Sequence, residues 1–181
     1  MIARQILFLI ILALQIKISA GQDEGLPSVG MSDANPGEFY LAETYRDWKR
    51  LCVRTENESE LCHIYQLIVD ENNHATGEIN LFRLNEEEGV SAVGTILTPL
   101  GTLLTSNLLL SIDERNSAEY PFSWCDSRGC YVNLGLTDDD VFSMRKGKKA
   151  IITIKSVSLP DRPIELEISL YGFTDAFASL E

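Results

Sequence analysis

The stretch Ile164-Glu165-Leu166-Glu167-Ile168-Ser169-Leu170 alternates apolar and polar residues without a break. Side chains along a strand point to opposite faces with a period of two. The pattern therefore sends Ile164, Leu166, Ile168 and Leu170 to a core and leaves Glu165, Glu167 and Ser169 in water. That is a half-buried antiparallel strand, and a lone strand is not stable without partners. Upstream, 150–157 (AIITIKSV) reads as a second strand, closed by Pro160-Asp161-Arg162-Pro163. Leu108, Leu110 and Ile112 line one side of a third, which stops at Asp113-Glu114. Residues 77–84 (GEINLFRL) set Ile79, Leu81 and Arg83 against Asn80, Phe82 and Leu84. The β-favouring run 61–69 ends in turn chemistry at Asp70-Glu71-Asn72-Asn73, and 48–53 alternates more loosely. Leu97-Thr98-Pro99-Leu100-Gly101 reads as a kink or turn, and Glu86-Glu87-Glu88 as a solvated one. Many short strands with turn signals between them predict an all-β domain, a single antiparallel β-sandwich or a partly closed barrel.

Two short helices interrupt this pattern. Thr137 is a good N-cap for Val141–Lys146, with Asp138, Asp139 and Asp140 at the positive end of the macrodipole and Arg145 and Lys146 at the negative end. Gly147 suits a left-handed C-cap. Residues 174–180 read as a C-terminal helix with Thr174 as its N-cap.

The N-terminus has the layout of a secretory signal peptide. A basic start at Arg4 precedes an apolar run from Ile6 to Ile16, and Ser19-Ala20-Gly21 offers small residues for cleavage near Ala20. The run is too short to span a bilayer, and Gln15 and Lys17 interrupt it. No later stretch has the required apolar length, so no transmembrane segment is expected after cleavage. Residues 1–20 are read as the signal. Residues 21–40, rich in Gly, Pro, Asp, Glu and Ser, form a flexible acidic arm that cannot bury enough surface to order itself. The folded domain covers 41–181 and is entered near Phe39-Tyr40-Leu41. The expected location is periplasmic or secreted, where cysteines oxidise.

Cleavage leaves 161 residues, one ordinary domain. Arg4 and Lys17 leave with the signal, which takes the net charge from −12 to −14. That balance argues against nucleic acid or anionic lipid as a partner, because both need clustered Lys and Arg.

Four cysteines permit three pairings. Cys52 with Cys62 and Cys125 with Cys130 is the expected set, because each pair closes a short turn between adjacent strands. Zinc does not suit these spacings, and a thioredoxin-like site needs Cys-x-x-Cys, whereas four residues separate Cys125 and Cys130. No cofactor, metal or catalytic residue is expected. His63 follows Cys62 in an apolar run and His74 sits in a polar turn; a hydrolase built around either is the least favoured reading. The sequence has no Gly-x-Ser-x-Gly elbow, no His-Glu-x-x-His and no phosphate-cradling loop. Asp138-Asp139-Asp140 lacks the spaced ligands of a calcium loop. The aromatic cluster around Trp124 and Tyr131 is a candidate platform for a small ligand or carbohydrate. Arg145, Lys146, Lys148 and Lys149 are a candidate docking patch for an acidic partner.

Several elements in order carry a resemblance: Asp47-Trp48 with Cys52 and Cys62; Pro99-Leu100-Gly101-Thr102-Leu103-Leu104 leading to Leu110-Ser111-Ile112-Asp113; Phe122 with Cys125 and Gly129-Cys130; and Ser169-Leu170 with Gly172-Phe173-Thr174, Ala176 and Leu180. From about Tyr45 to Leu180 the chain resembles the invasion-associated locus B family of exported bacterial proteins. Tyr131-Val132-Asn133 stands where such proteins carry smaller residues, and the acidic arm has no counterpart. The resemblance implies an all-β, disulfide-containing domain and, in some pathogenic relatives, a connection with attachment to or entry into host cells. It supplies no catalytic residues. The function expected is that of an exported, non-catalytic binding or envelope-associated protein whose protein partner, in the envelope or on a host cell, is unknown.

Overall fold

The computed structural model describes residues 37–57, 59–87, 89–113 and 115–180. The signal segment 1–20 and the arm as far as 36 lie outside the described residues, as does Glu88 of the triple-glutamate run. In chain order the strands are β1 (Phe39–Tyr45), β2 (Trp48–Arg54), β3 (Glu60–Val69), β4 (Ala75–Glu87), β5 (Val90–Thr98), β6 (Leu108–Ile112), β7 (Arg115–Tyr120), β8 (Phe122–Cys125), β9 (Cys130–Leu136), β10 (Lys149–Lys155) and β11 (Pro163–Ser169). Two helices, α1 (Asp138–Lys146) and α2 (Phe173–Ala178), complete them. Seven strands form one sheet in the order β1-β2-β3-β4-β5-β9-β8, and four form the other in the order β11-β10-β6-β7. Every pairing is antiparallel. The result is a two-sheet sandwich and not a closed barrel.

The period-two positions fill the space between the sheets. Trp48, Ile64, Ile79, Leu81, Ile96 and Val132 face inward from the large sheet, against Leu108, Leu110, Ile152 and Ile168 from the small one. Along β11 and the residue after it, the expected alternation holds for Leu166, Ile168 and Leu170, which are buried. Ile164 is 41% exposed, because the strand begins beyond the edge of the core. The region around Pro99 is a turn, but Leu97 and Thr98 belong to β5. The inward positions of β5 are Ala92, Gly94, Ile96 and Thr98, and that mixture of small and polar residues hides the strand's alternation.

At the end of β11, Ser169 is tied to the large sheet on every side. The Gln66 side chain accepts from the Ser169 N–H (2.8 Å) and donates to its carbonyl (2.9 Å). The Trp48 indole donates to the same carbonyl (2.8 Å), and the Ser169 hydroxyl donates to Asp47 (2.5 Å). Gln66 is buried, so it stands in for a strand that is not there and satisfies backbone groups that would otherwise be orphaned.

The helix ends correct two expectations. Thr137 caps α1 with a full capping box to Asp140, as its sequence predicts. Gly147, however, has extended backbone (φ −74°) and not a left-handed one. Its lack of a side chain is needed for packing: a Cβ there would lie 2.8 Å from Leu170 Cδ1. The second helix is capped not by Thr174 but by Gly172, at φ 92°. A Cβ at Gly172 would fall 2.0 Å from the Tyr45 carbonyl oxygen, so the β1–β2 turn packs directly on this glycine. The Thr174 hydroxyl donates instead to the Arg145 carbonyl (3.2 Å).

Replacing Gln66 by leucine keeps the volume and removes both bonds to Ser169. The Ser169 carbonyl keeps the Trp48 indole, and leaving the Ser169 N–H without a partner costs about 1–3 kcal/mol. A chemical melt of Gln66→Leu should show a lower midpoint with an unchanged slope.

Candidate functional site

Residues of odd number in β3 point away from the core, and their neighbours across the register define the outer face of the large sheet. Leu51 pairs with His63, Phe82 with Val93, and Leu97 with Tyr131, which in turn pairs with Trp124. A sandwich face open to water is expected to be polar. Here Phe39, Leu61, Leu67, Val69 and Trp124 are large, apolar and exposed, and Leu100 joins them from the turn after β5. They gather at two ends. One zone holds Phe39 and Leu61, the other Leu67, Leu100 and Trp124, with Tyr65, Asn80 and Thr95 between them.

His63 anchors the first zone. Phe39 meets its ring edge-on (centroids 5.4 Å) and Phe82 lies over it (4.9 Å). The imidazole is only 6% exposed although it sits on the outside of the sheet. Burial lowers its pKa, with a smaller opposing effect from Asn80, and Nδ1 has no hydrogen-bond partner.

Trp124 and Tyr131 anchor the second. Their rings stack in parallel (4.8 Å, 14°), and the Arg128 guanidinium lies 5.6 Å from the Tyr131 centroid. Tyr131 is buried, and its hydroxyl donates to Asp126 (3.1 Å). Asp126 also accepts from the Arg128 and Gly129 N–H groups, closing the β8–β9 turn. The Arg128 N–H is the main reason that its carboxyl titrates below the usual range. Trp124, 47% exposed, thus offers one face backed by a fixed tyrosine. Beside it, Leu67, Leu97, Leu100 and Arg128 line a shallow groove of roughly 360 Å³.

The cysteines form Cys52–Cys62 and Cys125–Cys130, as expected, each joining residues directly opposite on paired strands. In the chain-entropy account each is worth about 2–3 kcal/mol. Cys52, Glu60 and Cys62 are close enough to share a metal, but both sulfurs are in the disulfide. His74 lies 3.3 Å from Asp70 in an exposed turn, and among the described residues neither histidine ring hydrogen-bonds a hydroxyl or thiol. The four basic candidates are spread out. Arg145 reaches over Phe177, Lys146 lies over the exposed Phe142 ring (4.1 Å), Lys149 pairs with Glu167 (3.3 Å), and the Lys148 N–H donates to Asp113.

Of the outer-face residues, the sequence pointed to Trp124 and Tyr131 and missed Phe39, Leu67 and Leu100. A signal was present in 61–69, where the positions between Ile64, Gln66 and Ile68 are also mostly apolar, so both faces of β3 read as buried.

Fold and cross-links together define a β-sandwich stapled by two hairpin disulfides. Residues 48–181 match the family described as invasion associated locus B (IalB) protein, and the chain belongs to that family. Among solved structures it is similar to invasion associated protein B from Bartonella henselae, at 25% identity over 77% of this chain and 94% of that one, with a TM-score of 0.68. No curated protein matches it. Among the described residues no helix is long and apolar enough to cross a membrane.

The buried imidazole makes stability depend on pH. His63 takes up a proton at its ordinary value near 6.5 in the unfolded chain but only at lower pH in the fold. Its contribution is therefore complete above about 6.5 and is lost as the pH falls below it. The melting temperature should drop between pH 7 and 5.5, and His63→Leu should flatten that part of the profile. Superimposable profiles for the two proteins would place the loss elsewhere.

Proposed function

We propose that this chain is an exported, non-catalytic binding protein of the bacterial envelope, periplasmic or secreted, that holds a protein partner against the outer face of its seven-stranded sheet. The observation that carries this reading is the set of exposed apolar side chains at Phe39, Leu61, Leu67, Val69 and Trp124. Large apolar patches on a soluble protein mark interaction surfaces. The family name and that of the Bartonella henselae protein tie such chains to invasion, and a host-cell or envelope partner fits that setting. The paired cysteines support an oxidising compartment.

The test is crosslinking of the tagged chain in its own cells, with mass spectrometry of the products. A recurrent partner should appear with the wild type and be lost in Leu67→Asp with Trp124→Asp, two changes at exposed positions that leave the core intact. Retention of the partner by the double variant would remove the outer face from the interaction. The same spectra should show a mature N-terminus at or near Gly21.

A second reading has its own support. Trp124 is a rigid, half-exposed ring stacked on a buried tyrosine, the arrangement on which a sugar face packs. Titration with mono- and disaccharides should quench tryptophan emission in the wild type and not in Trp124→Ala.

A further inference from the structure

β3 runs on past the point where β2 begins, and its edge there is open. Across these two strands the odd-numbered residues exchange main-chain bonds. In the same register the Thr55 N–H donates to the Ser59 carbonyl, while Cys52 and Cys62, their Cα atoms 4.1 Å apart, form the closer and unbonded kind of pair. Leu67 and Val69 therefore turn their N–H and C=O groups to the same side as Tyr65. The β2–β3 register ends at Lys49 opposite Tyr65, because the chain leaves that line at Asp47, whose N–H donates to the Tyr171 carbonyl. Among the described residues, the main-chain groups of Leu67 and Val69 on this side have no partner.

A slot of roughly 500 Å³ lies in front of them, lined by Arg46, Lys49, Tyr65, Leu67, Val69 and Glu167. Its far bank is β11. The Ser169 N–H and carbonyl face Gln66 and not β10, so those of Glu167, two residues earlier, face away from β10 as well. Both banks are thus strand edges, and Leu67 and Val69 add exposed apolar side chains.

Direction and charge narrow the occupant. A segment pairing antiparallel with β3, the more stable arrangement, runs the same way as β2 and arrives where β2 begins. Asp47 and Trp48 stand in its path, so a chain end fits and a continuing strand does not. Arg46 and Lys49 stand at that end of the slot. Lys49 has no carboxylate within ion-pair distance among the described residues, and Arg46 lies over the Tyr171 ring (5.4 Å). The acidic neighbours Asp47 and Glu167 are held by the Ser169 hydroxyl and by Lys149. We propose that this slot binds the free C-terminal tail of a protein partner as an added strand. The last residue lies opposite Leu67, the third from last opposite Val69, and the carboxylate at Lys49 and Arg46. Those two residues are apolar and share the outer face with Leu67 and Val69. The inference rests on the reading of the outer face as a partner surface and narrows it to one edge.

Fluorescence anisotropy of labelled Gly-Gly-Ser-Val-Thr-Val and Gly-Gly-Ser-Leu-Ser-Leu against the mature chain tests this. Both free acids should bind saturably, since main-chain pairing tolerates either sequence. The C-amidated peptides, peptides lengthened by Gly-Ser-Gly after the last residue, and Lys49→Gln should each weaken binding about tenfold, the loss of one charge-assisted bond. A methyl group on the backbone nitrogen of the third-from-last residue removes a ladder donor and should abolish binding. Trp124→Asp, on β8 four strands from β3, should change nothing. Absence of binding by both free acids, equal binding of the amidated or lengthened forms, or indifference to the methyl group would each overturn the proposal. The double variant Leu67→Asp with Trp124→Asp keeps the two readings apart: a crosslinked partner lost in it while neither peptide binds would remove the slot and leave the outer face standing.

Discussion

The architecture depends on how an edge strand is finished inside the protein. At Ser169, β11 runs out of strand partners where the small sheet meets the large one, and its N–H and carbonyl would be stranded away from water. Gln66 supplies both missing bonds from 103 residues away in sequence, and Trp48 and Asp47 add to them from 121 and 122 away. This clasp holds β11 over β3 and so sets the offset between a seven-stranded and a four-stranded sheet. The wide sheet overhangs the narrow one, and α2 fills the overhang, seating Phe173 edge-on to Trp48 (5.3 Å). Both helices are used up on the core side. Nothing among the described residues lies across the outer face.

That open face is the cost of the design, and the charge of the chain offsets it. Exposed leucines and a tryptophan on an open sheet face invite self-association. A net charge of −12 on the whole chain works against it, because like-charged copies repel at the distances where apolar contact would begin. Strong acidity and an exposed apolar face therefore occur together, and the first opposes self-association through the second.

The fold was legible where inward residues are large. The alternation at 166–170, the face formed by Leu108, Leu110 and Ile112, and the Thr137 cap all stand as the sequence predicts, while Ile164 lies exposed at the start of its strand. Legibility failed where small residues do the packing. In β5, Ala92 and Gly94 face inward, and at Gly147 and Gly172 the decisive fact is a neighbour less than 3 Å from an absent Cβ. No local pattern announces such a neighbour, because it comes from another part of the chain. The candidate site follows the same rule. Trp124 and Tyr131 could be picked out by type, since large aromatics beside a disulfide draw notice. Their partition into one exposed ring and one buried ring, and the gathering of Phe39 and Phe82 around His63, depend on strand register, which only the folded sheet supplies.

The two disulfides join cysteines consecutive in the chain, 10 and 5 positions apart. For a chain that crosses a membrane N-terminus first, this sets a timetable. In a chain exported that way, Cys52 and Cys62 would meet in an oxidising compartment before Cys125 emerges, and Cys125 would then find only Cys130 still unpaired. Each thiol's first available partner is its native one. A simple oxidant can complete such a protein without an isomerase to undo mispairings, and bonds made this early are in place before the two sheets have closed.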